Sequence, residues 1–380
     1  MESDKTNYFL PHETLQDMIL ALNAAGYTCI GPKAKDGAIV YENLENAKEL
    51  PWSIRDKQSP GEYKLEKIPE HKAFAFSNGA EAIKPILFKP RETVWRVARN
   101  DDGKLVFEPH TPKEKPIAIF GARACDISAM LIQDKVFIEG PSIDKRYEKR
   151  RNALFIIGVN CTYSSQNCFC VSAGTGPEIK NTYDVVMTEI QDGFVISTGS
   201  KKGAVIIDKL NLKTSQAQEC ESAKKNIKQA AKMQTKKIPF NNSSSLKDLL
   251  FSNLEHDRWA EVADRCLSCG NCTSVCPTCF CNSEVEKPSL DGKTSEHQTE
   301  WDSCFTAGHS YLNGKLVRDD TSQRYRQWLT HKVGSWFDQF DTSGCVGCGR
   351  CVSWCPVGID LTEELAAISG ESNIRETDEE

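Results

Sequence analysis

Hydrophobic and polar positions alternate in three different ways along this chain. Residues 11–25 carry apolar side chains at helical spacing and stop at Gly26, which predicts an opening amphipathic helix with a glycine end. Short strand-like runs follow at 27–30 and 38–41. From Pro116 the pattern becomes continuously apolar. PIAIFGA reads as a buried strand, a helical segment with Ile127, Met130, Leu131 and Val136 follows with Asp126 as its N-cap, and ALFIIGV at 153–159 is a second buried strand. That succession predicts a βαβ unit with parallel strands and a right-handed crossover. Residues 184–190 and 194–198 read as a hairpin around Asp192-Gly193.

Beyond residue 215 the texture turns helical. Residues 215–237 are Lys-rich and read as a solvated helix or an interdomain linker, and NNSS at 241–244 marks a domain boundary. Residues 245–263 predict a helix with Ser245 as N-cap and Leu246, Leu249, Leu250 and Leu254 on one side. Residues 323–340 place Tyr325, Trp328, Leu329, Val333, Trp336, Phe337 and Phe340 near helical spacing, an aromatic stripe expected to pack in a core. The fold class expected is α+β. An N-terminal α/β region (1–115) precedes a βαβ-containing domain (116–240), a helical two-cluster ferredoxin domain (245–369) and a disordered acidic tail (370–380).

Composition narrows the function. The 380 residues hold 47 basic and 53 acidic side chains, a net charge of −6, which argues against a general nucleic-acid binder. No apolar run approaches the roughly 18 residues of a membrane span. The first residues lack a basic and then apolar leader, so a cytoplasmic location is expected.

Seventeen cysteines change the picture. Cys266, Cys269, Cys272 and Cys276 before Pro277 spell C-x2-C-x2-C-x3-C-P, and Cys345, Cys348, Cys351 and Cys355 before Pro356 spell it again. Three thiolates at two-residue gaps wrap one cubane, and the fourth, before proline, ligates the other cluster. The expected crossing is Cys266, Cys269, Cys272 and Cys355 for cluster 1, and Cys345, Cys348, Cys351 and Cys276 for cluster 2. Structural zinc is the competing explanation, but it favours two C-x2-C knuckles rather than two complete runs of this kind. Gly270, Gly347 and Gly349 suit loops whose backbone must come close to sulfide.

Other cysteines form looser groups. Cys125 and Cys161 end up at one sheet edge if the βαβ unit forms, and Cys168 and Cys170 follow on a Gly-rich loop, a candidate third iron–sulfur site. Partly buried free thiols are the alternative. Cys279, Cys281 and Cys304 form a further candidate group, an incomplete site, one completed by His309, or thiols that merely flank cluster 1. Cys29 and Cys220 stand alone and read as inert. Arg265 and Arg350, beside the cluster loops, are candidates for raising a cluster potential, with plain surface charge as the alternative.

No G-x-G-x-x-G after a strand, phosphate-binding loop, H-E-x-x-H or G-x-S-x-G is present in the sequence. The chain thus offers one-electron centres without a recognisable two-electron substrate site, which predicts a subunit rather than a complete enzyme, and no catalytic residue.

GARACDISAMLIQDKVF, NCTYSSQNCFCVSAGTGP, RCLSCGNCTSVCPTCFC, WDSCF, RYRQWLTHK and GCVGCGRCVSWCPVGIDLTEE occur in that order. Together they resemble the β subunit of the cytosolic NAD(P)-linked nickel–iron hydrogenases, or sulfhydrogenases, and the homologous iron–sulfur subunit of anaerobic sulfite reductases. The resemblance runs from about Gly121 to Glu364 and implies 4Fe–4S clusters on the eight motif cysteines. It implies a hetero-oligomer with the small and large subunits of a nickel–iron hydrogenase and an FAD/NAD(P)-binding subunit, or with a sirohaem partner in the sulfite reductase branch. A cluster-bearing redox sensor or scaffold, and a self-contained enzyme with a flavin of its own, are the rival expectations.

Overall fold

The computed structural model describes residues 6–110, 113, 115–239 and 243–370, with backbone alone at 243–245. The tail beyond residue 370 and the first half of the NNSS segment lie outside these residues.

The central apolar runs build an eight-stranded mixed sheet. Its order is Lys213–Thr214, Asn7–Pro11, Gly193–Thr198, Val185–Glu189, Leu154–Val159, Ile117–Ala122, Thr28–Lys35 and Ala38–Asn43. The four strands from Val185–Glu189 to Thr28–Lys35 run parallel to one another, and the flanking ones are antiparallel. Both faces are covered, which explains the continuous apolar texture. Phe120, Phe155 and Ile157 pack with Leu15 and Met18 of the helix Leu15–Ala24, whereas Ile119 and Ile156 pack with Ile127 and Met130 of the helix Ala124–Phe137. Strands from both sides of residue 115 pair directly, so the first two sequence segments contribute to one sheet.

The predicted βαβ unit and hairpin are present, with one correction. Asp126 is not the N-cap; it is the third residue of its helix, and extended Arg123 holds the cap position. Its carboxylate is spent on the Arg123 backbone N–H, on Asn78 and on Arg350. The Lys-rich segment forms the helix Ala217–Lys232, which buries Ala223 and Ala230 and donates from Asn226 to the Glu189 carbonyl at 3.1 Å, so it is docked on the sheet rather than a free linker.

The C-terminal part is helical around a separate core that contains Leu250, Trp259, Tyr325, Trp328, Leu329 and Leu365. The single helix expected at 245–263 is broken into Ser243–Ser252 and Arg258–Ala263, and Ser245 lies inside the first piece rather than capping it. The break is locked by Trp259, whose indole N–H donates to the Asn253 carbonyl at 2.8 Å. The aromatic stripe is core as expected, but its helix changes pitch. Thr321–Thr330 is α, His331–Ser335 is a π turn, and Trp336–Phe340 resumes the α pitch. Among the described residues no helix is long and apolar enough to cross a membrane.

Two devices tie the parts together. Between the cysteine motifs, the hairpin of Asn282–Pro288 and Thr294–Trp301 pairs with Arg91–Arg99 and Leu105–Pro109 in a four-stranded sheet. A second hairpin, Ile54–Ser59 with Glu62–Lys67, presses its turn on the second motif. Gly61 N–H donates to the Val352 carbonyl at 3.0 Å, and Tyr63 stacks on Trp354 at 5.0 Å.

Candidate metal centre

The two C-x2-C-x2-C-x3-C-P runs fold alike. In each, a glycine in the left-handed region (Gly270, φ +76°; Gly349, φ +74°) turns the loop into a four-residue helix, Asn271–Ser274 or Arg350–Ser353. The third cysteine of each run sits on that helix and the fourth follows it.

Cys266, Cys269, Cys272 and Cys355 line one cavity. This is the crossed set expected for cluster 1, and Cys351 borders it as well. Tyr325 and Trp328 from the aromatic stripe complete its wall, and the Tyr325 hydroxyl and Trp328 indole N–H are buried without a hydrogen-bond partner. Buried donors without acceptors are costly, and both border a cavity where inorganic sulfide would accept from them. The donor set and the cavity therefore fit a cubane. Cys269 is the exposed member, so this centre reaches the surface.

Cys276, Cys345, Cys348 and Cys351 lie within electrostatic range of one another, again the expected crossed set. Burial pushes the Cys345 thiol up to about 11 and the Cys348 thiol up to about 12. Cys276 moves the opposite way. A hydrogen bond with Cys279 and the Lys332 ammonium outweigh its burial and hold it well below the usual thiol range. Lys332, 4 % exposed, places Nζ 3.1 Å from Cys276 Sγ, 3.0 Å from Thr278 Oγ1 and 3.2 Å from the Gly344 carbonyl. Burial opposes its charge, but the nearby thiolates, led by Cys276, keep it cationic. Lys332 stands on the π turn His331–Ser335 and is buried there.

Nothing in the spacing of the cysteines marks Lys332. The signal available was a lysine inside an apolar stripe, at a position where a surface residue is not expected. Lys84 is a second such cation. It is buried, donates to the Ser274 carbonyl at 2.9 Å, and sits 4.1 Å from the Trp301 ring centroid. The arginines singled out from the sequence are placed differently. Arg265 pairs with the fully buried Glu364, which also takes Arg258 at 2.5 Å, and Arg350 is a buried residue paired with Asp126, not surface charge. Arg265 is largely balanced by Glu364, and Lys332 is the cation whose ammonium lies within hydrogen-bond distance of a motif thiol.

Cys125, Cys161, Cys168 and Cys170 line another cavity, at the carboxyl edge of the parallel strands. Cys279 and Cys281 line an open groove with Cys269, Lys84 and Trp301, while Cys304 is buried within electrostatic range of Cys281. His309 is exposed and outside that lining. Cys29 is buried in the sheet core, and Cys220 accepts from Asn7 at 3.8 Å. Among the described residues no three Cys, His, Asp or Glu side chains close on one point as a single ion would need.

Fold and site define a ferredoxin-type iron–sulfur protein. Residues 265–359 match the family model of the 4Fe-4S dicluster domain. The chain is 31 % identical over 302 residues to the Sulfhydrogenase 2 subunit beta of Pyrococcus furiosus, an alignment covering 74 % of this chain and 81 % of that protein. It belongs to the sulfhydrogenase β-subunit family, and it carries 4Fe–4S centres. No solved structure matches it.

Proposed function

We propose that this chain is the electron-transfer subunit of a multi-subunit hydrogenase located in the cytoplasm. In this role it relays single electrons between a nickel–iron hydrogenase module and an FAD/NAD(P)-binding subunit. Cys266, Cys269, Cys272 and Cys355 hold cluster 1, and Cys345, Cys348, Cys351 and Cys276 hold cluster 2. Bound there, each cluster supplies one-electron storage near the potential its surroundings set. The observation that carries the proposal is the meeting of Cys355 with the first three cysteines of the other motif around one cavity. Cys272 and Cys351, third in their runs, lie within electrostatic range of one another, which supports a side-by-side arrangement of the two clusters. Exposed Cys269 gives electrons a surface entry. Phe305, Tyr325 and Trp328 keep water from the buried side of cluster 1.

The complex purified without oxygen is expected to show reduced-cluster EPR signals on adding NAD(P)H or H₂. Cys272→Ser is expected to remove one signal, about four irons per chain, and to slow electron transfer between the two substrates at least tenfold. Zinc in the eight motif positions, or clusters that neither donor reduces in the intact complex, would overturn the proposal.

A further inference from the structure

The cavity at the carboxyl edge of the large sheet is not used by either ferredoxin motif. Cys125 stands in the first turn of the helix Ala124–Phe137, and Cys161 follows the strand Leu154–Val159. Cys168 and Cys170 come from the loop that folds back over that edge. The four cysteines, from three stretches of chain, line one cavity.

A second observation points to what belongs there. Arg123 and Arg350 line the same cavity, and each is 2 % exposed. In both, Nε and Nη1 are buried and have no hydrogen-bond partner among the described residues. Their other donors are committed: Arg123 Nη2 to the Phe74 carbonyl at 3.0 Å and the Phe76 carbonyl at 2.9 Å, and Arg350 Nη2 to Asp126. Asp126 pairs with Arg350, and the buried Asp56 carboxyl lies within electrostatic range of Arg123, but neither carboxylate reaches the four unpartnered donor atoms. A buried cation with unpaired N–H groups is unfavourable unless an anion completes it. A cubane on four thiolates is such an anion.

The sulfurs already have supporting donors. Ser77 and Ser165 hydroxyls stand 3.6 and 3.3 Å from Cys168 Sγ, and Gln234 Nε2 donates to Cys170 Sγ at 3.2 Å. Such hydrogen bonds to cysteine sulfur fix ligand orientation and tune potential. The backbone is fitted as closely: a Cβ at Gly176 would lie 3.0 Å from Cys170 Sγ and 3.1 Å from Ala124 Cβ.

We propose that Cys125, Cys161, Cys168 and Cys170 hold a third 4Fe–4S cluster, with Arg123 and Arg350 as its buried counter-charges. Cys348, a ligand of cluster 2, lines the same cavity. The third cluster therefore adjoins the second. One electron leaving cluster 2 reduces it by one, with no bond made or broken. Its place in the relay rests on the electron-transfer function proposed above; its existence does not.

The test is metal content of the full chain, purified without oxygen. About twelve irons and twelve labile sulfides per chain are expected, three cubanes of four. The variant Cys125→Ser/Cys168→Ser is expected to keep about eight of each, with the signals of the two ferredoxin-motif clusters intact. A wild-type count of about eight overturns the third cluster and leaves the proposed function standing, as does one zinc beside eight irons. A double variant that retains about twelve irons also overturns it. An iron-free chain sinks both. If the double variant does not fold, the wild-type iron, sulfide and zinc counts decide alone.

Discussion

Gly349→Ala is expected to destabilise the protein by several kcal/mol and to loosen the second cysteine loop from the sheet. Two separate costs add. Gly349 has φ +74°, where an L side chain pays about 1–2 kcal/mol. A Cβ there would also stand 2.2 Å from the Asn167 carbonyl oxygen and 2.6 Å from its carbon. That neighbour is backbone, so it cannot rotate aside, and overpacking of this kind costs a further 1–3 kcal/mol or so. Asn167 is held in turn, because its side-chain amide donates to Ser353 Oγ at 2.9 Å. Relief therefore requires the loop carrying Cys168 and Cys170 to separate from the loop carrying Cys345, Cys348 and Cys351. Gly292→Ala is the control: it also has positive φ, but nothing lies within 4 Å of its Cβ. In thermal unfolding of the anaerobic protein, Gly292→Ala should lower Tm slightly and Gly349→Ala by clearly more. Equal shifts would show that the two loops are not in contact.

That contact explains why the sequence revealed some features and hid others. The eight motif cysteines, the ligands we propose, stand out in the sequence because a cubane imposes its spacing on a continuous stretch of chain. The meeting of Cys125 with Cys161 was legible for a different reason: parallel strands joined by a crossover must end on one edge. The four-stranded sheet was not legible. Its outer strands Asn282–Pro288 and Leu105–Pro109 are polar or exposed along most of their length, and its two hairpins join through Arg91–Arg99 and Thr294–Trp301, about two hundred positions apart in the chain. Periodicity reports burial, and these strands bury little. Asp126 misled for a related reason. An acidic residue at the start of a helix resembles a cap, but here its carboxylate answers a tertiary partner, Arg350, 224 positions away. Arg265 and Arg350 were likewise visible as charges, while the carboxylates that balance them were not.

The same logic of balance makes Lys332 the most informative residue to change. Lys332→Met is expected to lower the midpoint potential of one cluster, the one we propose Cys276 ligates, by an amount on the order of 100 mV. A unit charge about 5 Å away at an effective permittivity of about 20 is worth about 3 kcal/mol. For one electron, about 1.4 kcal/mol corresponds to 59 mV, so the full Coulomb effect is about 130 mV before solvent and counter-charge reduce it. The positive charge favours the reduced cluster, which carries one more negative charge, so its removal moves the potential down. Lys84, also near Cys276, remains and limits the shift. The fold should survive, because Thr278 Oγ1 still donates to the Gly344 carbonyl at 2.6 Å and methionine fills the stem's space without burying an unpaired charge. Lys332→Arg keeps the charge and should recover most of the potential if its larger head is accommodated. EPR-monitored redox titration separates this from a merely structural role. A structural role predicts a lost or broadened signal at unchanged potential, whereas charge tuning predicts an intact signal that moves while the cluster at Cys269 stays where it was. The arginines provide the contrast: Arg265→Gln removes a charge already balanced by Glu364 and should shift cluster 1 far less.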